Sequence, residues 1–165
     1  MADSKISGGI GNRTLIGFIA GFLSTLTFHQ GALWVLWGMG VAPFGPFSMA
    51  PVPPFGVPAV LSLAFWGGVW GILFAHALRP LPRTGYWLSA FLFGAVLASL
   101  VALFIVAPLK GRPVAGGWQP AVLITAFLIN GMWGLGTGVW IELFQAVFKR
   151  RQKRLRCPPG AVCDY

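Results

Sequence analysis

The chain has 165 residues, of which 56% are hydrophobic and only 9% are charged, and its formal net charge is +9. This balance excludes an ordinary soluble domain and predicts an all-α integral membrane protein, in which long apolar helices take up most of the chain. The positive charge does not indicate nucleic acid, because six of the twelve basic residues lie in one run directly after the last apolar segment. We therefore expect no nucleic-acid partner.

Residues 1–13 are polar and glycine-rich, and we expect them to form a short lead-in. A cleavable signal peptide is not predicted, because the first apolar segment, about 14–37, is too long for one. This first span carries Gly17 and Gly21 at four-residue spacing. Small residues at that spacing let helix backbones approach closely, which is how helices gain packing energy inside a bilayer.

A loop of residues 38–56 follows, rich in proline and phenylalanine and without a single charged residue. Its prolines forbid a regular helix, because each lacks an N–H and restricts the residue before it. Unpaired backbone at hydrocarbon depth is costly unless protein covers it. We therefore expect the loop to lie in the headgroup region or to dock on a partner.

Three further spans are predicted at about 57–78, 84–107 and 119–148, and short connections join the second to the third and the third to the fourth. Each carries small residues at four-residue spacing, as the first span does. Such residues predict helix packing; the glycines concerned are Gly67, Gly71, Gly94, Gly134 and Gly138. The fold predicted is a compact antiparallel bundle of four transmembrane helices, residues 14–148.

An internal similarity suggests two tandem helix hairpins in the same orientation, 13–78 and 83–148. The second and fourth spans both begin with Pro-Ala-Val-Leu and later contain Trp-Gly, and Arg-Thr precedes the first and third spans. Membrane proteins often contain such repeats, with sites at the repeat interface. The alternative is a chance match between two apolar segments.

The basic residues predict the orientation of the bundle. Ten of them lie on the side of the two termini and the 79–83 hairpin, and only Lys110 and Arg112 lie on the other side. The positive-inside rule then places both termini in the cytoplasm and the 38–56 loop outside, in a multi-pass protein of the plasma (inner) membrane. The tail, residues 149–165, is expected to contact lipid headgroups through its basic residues: Lys149, Arg150, Arg151, Lys153, Arg154 and Arg156. We expect Cys157 and Cys163 to be free thiols.

Five polar residues fall inside the predicted spans: His29, Gln30, His76, Asn130 and Glu142. By helical rise, His29 lies about 22 Å from the cytoplasmic boundary and His76 about 3 Å, so the two histidines cannot ligate one haem. Glu142, about 9 Å inside that boundary, is predicted to contact His76, and His29 and Gln30 to contact Asn130. These contacts could form a proton or ion relay, or they could be interhelical hydrogen bonds that fix the bundle.

No acid pair, no His-Glu-x-x-His motif and no catalytic triad appears, and no metal site is predicted. We therefore expect a non-catalytic accessory, assembly or scaffold subunit of a larger membrane complex, with lipids and a membrane-protein partner or further copies around it. The alternative is a small oligomeric transporter or channel for a proton, an ion or a small solute, using His29, Asn130 and Glu142. A third possibility is an accessory protein that binds haem or a pigment; otherwise no cofactor is expected.

Overall fold

The structure, a computed structural model, describes the backbone of residues 10–156 and the side chains of residues 11–150. Cys157 and Cys163, and with them the predicted free thiols, lie outside the described residues. Four helices are long and apolar enough to cross a membrane. We call them spans 1 to 4, and they cover Gly11–Gly38, Ala59–Ala77, Arg83–Leu109 and Pro120–Arg150. They pack together, so the predicted all-α fold is confirmed, and they indicate a multi-pass membrane protein in contact with lipid.

Span 1 begins earlier than the apolar pattern predicts. Its first α-helix is Ile10–Ser24, a π-helical turn covers Thr25–His29, and a second α-helix, Gln30–Gly38, completes it. Gly11 and Asn12 are exposed. A helix satisfies its own backbone hydrogen bonds outside the hydrocarbon as well as inside it. The helix can therefore begin before the first apolar side chains of the span.

Span 2 is one α-helix, and the fourth helix runs unbroken through span 4 to Arg156. Span 3 alternates between α-helical and π-helical segments: Arg83–Leu92 (α), Phe93–Ala98 (π), Ser99–Val101 (α), Ala102–Val106 (π) and Ala107–Leu109 (α). The connection to the fourth helix contains a left-handed turn, in which Ala115, Gly116, Gly117 and Trp118 all have positive φ. Between spans 1 and 2, the strands Pro51–Val52 and Val57–Pro58 form a two-stranded antiparallel ladder.

Within the bundle, span 1 packs on span 2, span 3 packs on span 4, and spans 1 and 4 pack on each other. Aromatic rings fill the centre. The fully buried Phe74 has ring-centroid distances of 5.4 Å to Phe93, 6.2 Å to Trp133 and 6.3 Å to Tyr86. Edge-on ring packing of this kind adds to the energy of burial. The centre of the bundle is therefore a packed core.

The two hairpins use the same packing register. A side chain at Gly71 would meet the carbonyl oxygen of Gly17, and one at Gly134 would meet the carbonyl oxygen of Ala90. The residue after each of these two carbonyls is a phenylalanine, and the two rings also correspond: the ring of Phe18 covers Gly68 as the ring of Phe91 covers Gly131. The packing in the structure thus makes Phe91 the counterpart of Phe18. An alignment of span 1 with span 3 on their shared Arg-Thr pairs would instead make Leu88 the counterpart of Phe18.

Candidate functional site

His29 and Gln30 lie together where the π-helical turn of span 1 ends, and both are buried. The side-chain oxygen Oε1 of Gln30 accepts a hydrogen bond from the backbone N–H of Phe47 at 2.6 Å. The side-chain nitrogen Nε2 of Gln30 lies 3.4 Å from Nδ1 of His29. These two residues therefore hold the loop between spans 1 and 2, and the contact with Asn130 predicted from depth is not formed.

Asn130 faces span 3. Its amide nitrogen donates to the hydroxyl oxygen of Ser99 at 3.0 Å, and that hydroxyl donates to the backbone carbonyl of Ala126 at 3.0 Å. Asn130 and the His29–Gln30 pair therefore lie on different helix interfaces. Counting residues along the helix gives depth in the membrane but not the direction in which a side chain points, which explains the wrong prediction.

His76 and Glu142 do not pair either. Nε2 of His76 lies 3.2 Å from the hydroxyl oxygen of Thr14, on span 1. Glu142 is exposed, and its carboxylate lies within electrostatic range of Tyr86, on span 3. Both side chains lie within the described residues 11–150, and no hydrogen bond joins them. The predicted contact between His76 and Glu142 is therefore wrong.

The surroundings of Glu142 are aromatic. One turn before it, Gly138 packs against Tyr86 and Trp87, with ring atoms of both 3.2 Å from the position of an added side chain. Aromatic residues of this kind are typical of the membrane interface. The fourth helix continues beyond Glu142 to Arg156. The predicted depth of Glu142, about 9 Å inside the cytoplasmic boundary, stays a prediction.

A buried polar seam between spans 1 and 4 was missed in the sequence. The hydroxyl of Ser24 donates to the carbonyl of Trp133 at 2.7 Å, and the indole N–H of Trp133 donates to the carbonyl of Gly21 at 3.0 Å. Thr137 donates to the same carbonyl of Trp133 at 2.9 Å. The small polar residues of spans 1 and 4 were the sequence signal for this seam, but the residues to which they hydrogen-bond across the two spans are distant in sequence. Thr125, also fully buried, has a hydroxyl with no partner in the described part of the chain.

The loop between spans 1 and 2, residues 39–58, is named the Pro/Phe loop. Near its start the N–H groups of Val41 and Ala42 both donate to the carbonyl of Leu36, and near its end the N–H of Val60 donates to the carbonyl of Ser48. Gln30 holds its middle. Despite this anchoring, its large apolar side chains are exposed, and Phe55 is 86% exposed. The exposed set is Met39, Phe44, Phe47, Met49, Phe55 and Val57.

The basic residues of the tail continue the fourth helix. Lys149 and Arg150 are exposed, and the helix continues through Arg156, while the side chains after Arg150 lie outside the described ones. At the same end of the bundle, Arg13 and Arg79 lie within electrostatic range of each other. We call this the basic end.

The five predicted polar residues therefore do not form one site. Because His76 contacts Thr14 and His29 lies fifteen residues further along span 1, the two histidines are about 22 Å apart along the helix. That separation does not fit two axial ligands of one haem. In the described part of the chain, no group of three His, Cys, Asp or Glu residues could hold a metal ion.

Comparison of the chain with family models, with curated proteins and with solved structures finds no match.

Proposed function

We propose that this chain is a non-catalytic accessory or scaffold subunit of a larger membrane complex, and that it docks a membrane-protein partner through the Pro/Phe loop. The exposed apolar surface of that loop carries the proposal. Isolated exposed apolar residues are normal, but six of them on one charge-free loop favour an interaction site.

The anchoring of the loop favours a protein partner over simple insertion into lipid. Hydrogen bonds at both ends and at Gln30 hold the loop in one shape, and a preformed surface loses less conformational entropy on binding. Lipid contact needs no fixed shape. Moreover, the non-helical backbone of this loop could not enter hydrocarbon without a protein cover.

The closed core of the bundle argues against transport through a single copy. Phe74, Phe93 and Trp133 fill the interface between the two hairpins, which is where repeat transporters have their sites. The polar side chains of His29, Asn130 and His76 are each engaged on a different interface. Interhelical hydrogen bonds that fix the bundle explain these contacts without a path for a solute.

The orientation belongs to the same proposal. In sequence, ten basic residues lie within residues 1–13, 79–83 or 149–165, and two lie between spans 3 and 4, so the positive-inside rule favours both termini in the cytoplasm of a plasma (inner) membrane protein. The partner surface would then lie outside the cytoplasm. Labelling of single cysteines placed at Phe55 and at Arg83, in intact cells, tests this assignment.

Site-specific photo-crosslinking in native membranes tests the docking surface. A photoreactive residue at Phe55 should give one discrete crosslink to a second membrane protein. The matched control is Leu109, which is 81% exposed at the same end of the bundle but outside the loop, and it should not give that crosslink. The substitutions Phe55→Ser and Met49→Ser should reduce recovery of the crosslinked partner in mild detergent, and Leu109→Ser should not.

Two results would overturn the proposal. Crosslinks from Phe55 to lipid alone would make the loop a membrane anchor. Crosslinks only between copies of this chain, together with proton flux in liposomes that disappears on Glu142→Gln, would support the oligomeric transporter instead.

A further inference from the structure

The basic end carries a second cluster of polar side chains, which is independent of the Pro/Phe loop. It lies where span 1 begins and span 2 ends. Thr14 and His76 join the two spans there, with 3.2 Å between the hydroxyl oxygen and Nε2. Arg13 precedes Thr14, and Arg79 lies three residues after His76, so the contact between the spans brings the two guanidinium groups within electrostatic range of each other.

The two arginines have no carboxylate partner in the described chain. Glu142 is the only acid within residues 11–150, and it lies on span 4 beside Tyr86. Two like charges held close together repel each other unless an anion lies between them. The basic end thus holds a pair of cations on neighbouring helices without a counter-charge from residues 11–150.

Close packing fixes the positions of these residues. Directly above the cluster, a side chain at Gly17 would lie 2.8 Å from Cβ of Ala75, and one at Gly71 would meet the carbonyl oxygen of Gly17. Backbones this close cannot slide past each other without a clash. The backbones of the two helix ends are therefore held at a fixed separation.

We infer that Arg13, Thr14, His76 and Arg79 form a binding site for a phosphate group. Guanidinium groups present a planar fork of N–H donors that matches phosphate oxygens, and the hydroxyl and the imidazole add further polar atoms. The cluster lies at the ends of two candidate membrane spans, the level at which a bilayer would present the phosphates of anionic phospholipids. A phospholipid headgroup and free phosphate share this chemistry, and the experiment distinguishes them.

The test compares two double variants that remove the same number of charges from the same end of the bundle. R13Q/R79Q removes the proposed site, whereas R83Q/K149Q removes two basic residues that belong to spans 3 and 4. Native mass spectrometry measures retention of phosphatidylglycerol by protein taken from nanodiscs of phosphatidylcholine with and without phosphatidylglycerol. Loss of two basic residues near an anionic surface should weaken binding about 30-fold in either double variant. R13Q/R79Q should weaken it about tenfold more than R83Q/K149Q, because it also loses the charge-assisted hydrogen bonds of the two guanidinium forks.

A second arm uses inorganic phosphate with lipid-free protein in detergent, read as a shift in melting temperature. A shift that is lost in R13Q/R79Q identifies free phosphate as a ligand. Binding of phosphatidylglycerol without a shift by phosphate identifies the lipid headgroup as the ligand. Either result supports the site. The variant R13K/R79K keeps both charges but not the forks, and it should bind more weakly than the parent and more tightly than R13Q/R79Q. Equal loss in the two glutamine variants would show a diffuse charge effect, and no effect of either ligand would show no site; both results overturn the inference.

Discussion

Gly71→Ala should destabilise the bundle, because spans 1 and 2 approach each other through bare backbone at this point. The added methyl group would meet the carbonyl oxygen of Gly17 and lie 2.9 Å from Cα of Gly21. Carbon atoms pack at about 3.5–4.0 Å, so the two helices must separate by nearly 1 Å, and a gap of that size loses a quarter to a half of each contact energy. Overpacking of this kind typically costs about 1–3 kcal/mol.

A matched control removes the effect of helix propensity. Alanine is a better helix former than glycine by about 0.5–1 kcal/mol, and this gain partly offsets the clash at Gly71. At Gly31, in the same bundle, an added methyl group meets no atom within 4 Å. Gly31→Ala should therefore be neutral or slightly stabilising, and the difference between the two variants, about 1–3 kcal/mol, measures the packing cost alone.

Reversible unfolding in mixed micelles of dodecylmaltoside and dodecyl sulfate, followed by tryptophan fluorescence, measures both free energies. Gly134→Ala should behave like Gly71→Ala, since its methyl group would meet the carbonyl oxygen of Ala90 in the second hairpin. Equal stability of Gly71→Ala and Gly31→Ala would refute the close approach of spans 1 and 2.

Four further substitutions test the polar groups. Gln30→Leu leaves the N–H of Phe47 without its acceptor, and we expect hydrogen exchange of that amide to accelerate about tenfold or more without loss of the bundle; an unchanged rate would contradict the anchor. Thr125→Val should stabilise the bundle by up to about 1 kcal/mol in the same unfolding assay, because the hydroxyl is buried without a partner, whereas Thr137→Val should destabilise it by about 1 kcal/mol. Glu142→Gln should change the unfolding free energy by less than about 0.5 kcal/mol, since the side chain is exposed; a loss of several kcal/mol would indicate a buried carboxylate.

The helices and their small-residue faces could be predicted because they depend on local patterns. Long apolar runs require helices in a bilayer, since only a helix satisfies its own backbone there. Glycines at four-residue spacing mark a face where backbones can approach, and Gly17 and Gly71 do meet across spans 1 and 2. The length of the apolar runs and the spacing of the glycines can be read from the sequence without knowledge of the fold.

The polar contacts could not be predicted, because each depends on the rotation of a helix about its axis. Asn130 and Gln30 lie at similar depth, yet Asn130 bonds Ser99 and Gln30 bonds the backbone of Phe47. The π-helical turn Thr25–His29 changes that rotation in the middle of span 1. The contact predicted between His76 and Glu142 failed for the same reason, because His76 faces Thr14 and Glu142 lies near Tyr86.

The two hairpins share the positions that pack the bundle, but they differ at the end of the bundle where the Pro/Phe loop lies. Both hairpins pack through the same register of glycine, small residue and phenylalanine, so those positions are explained by helix packing. In that register the counterparts of His29 and Gln30 in span 3 are Ala102 and Leu103, which cannot hold a loop by side-chain hydrogen bonds. The second hairpin accordingly has only a short connection. A buried glutamine holds a charge-free loop that the second hairpin lacks, and this contrast supports the proposal that the distinctive function of the chain lies on that loop.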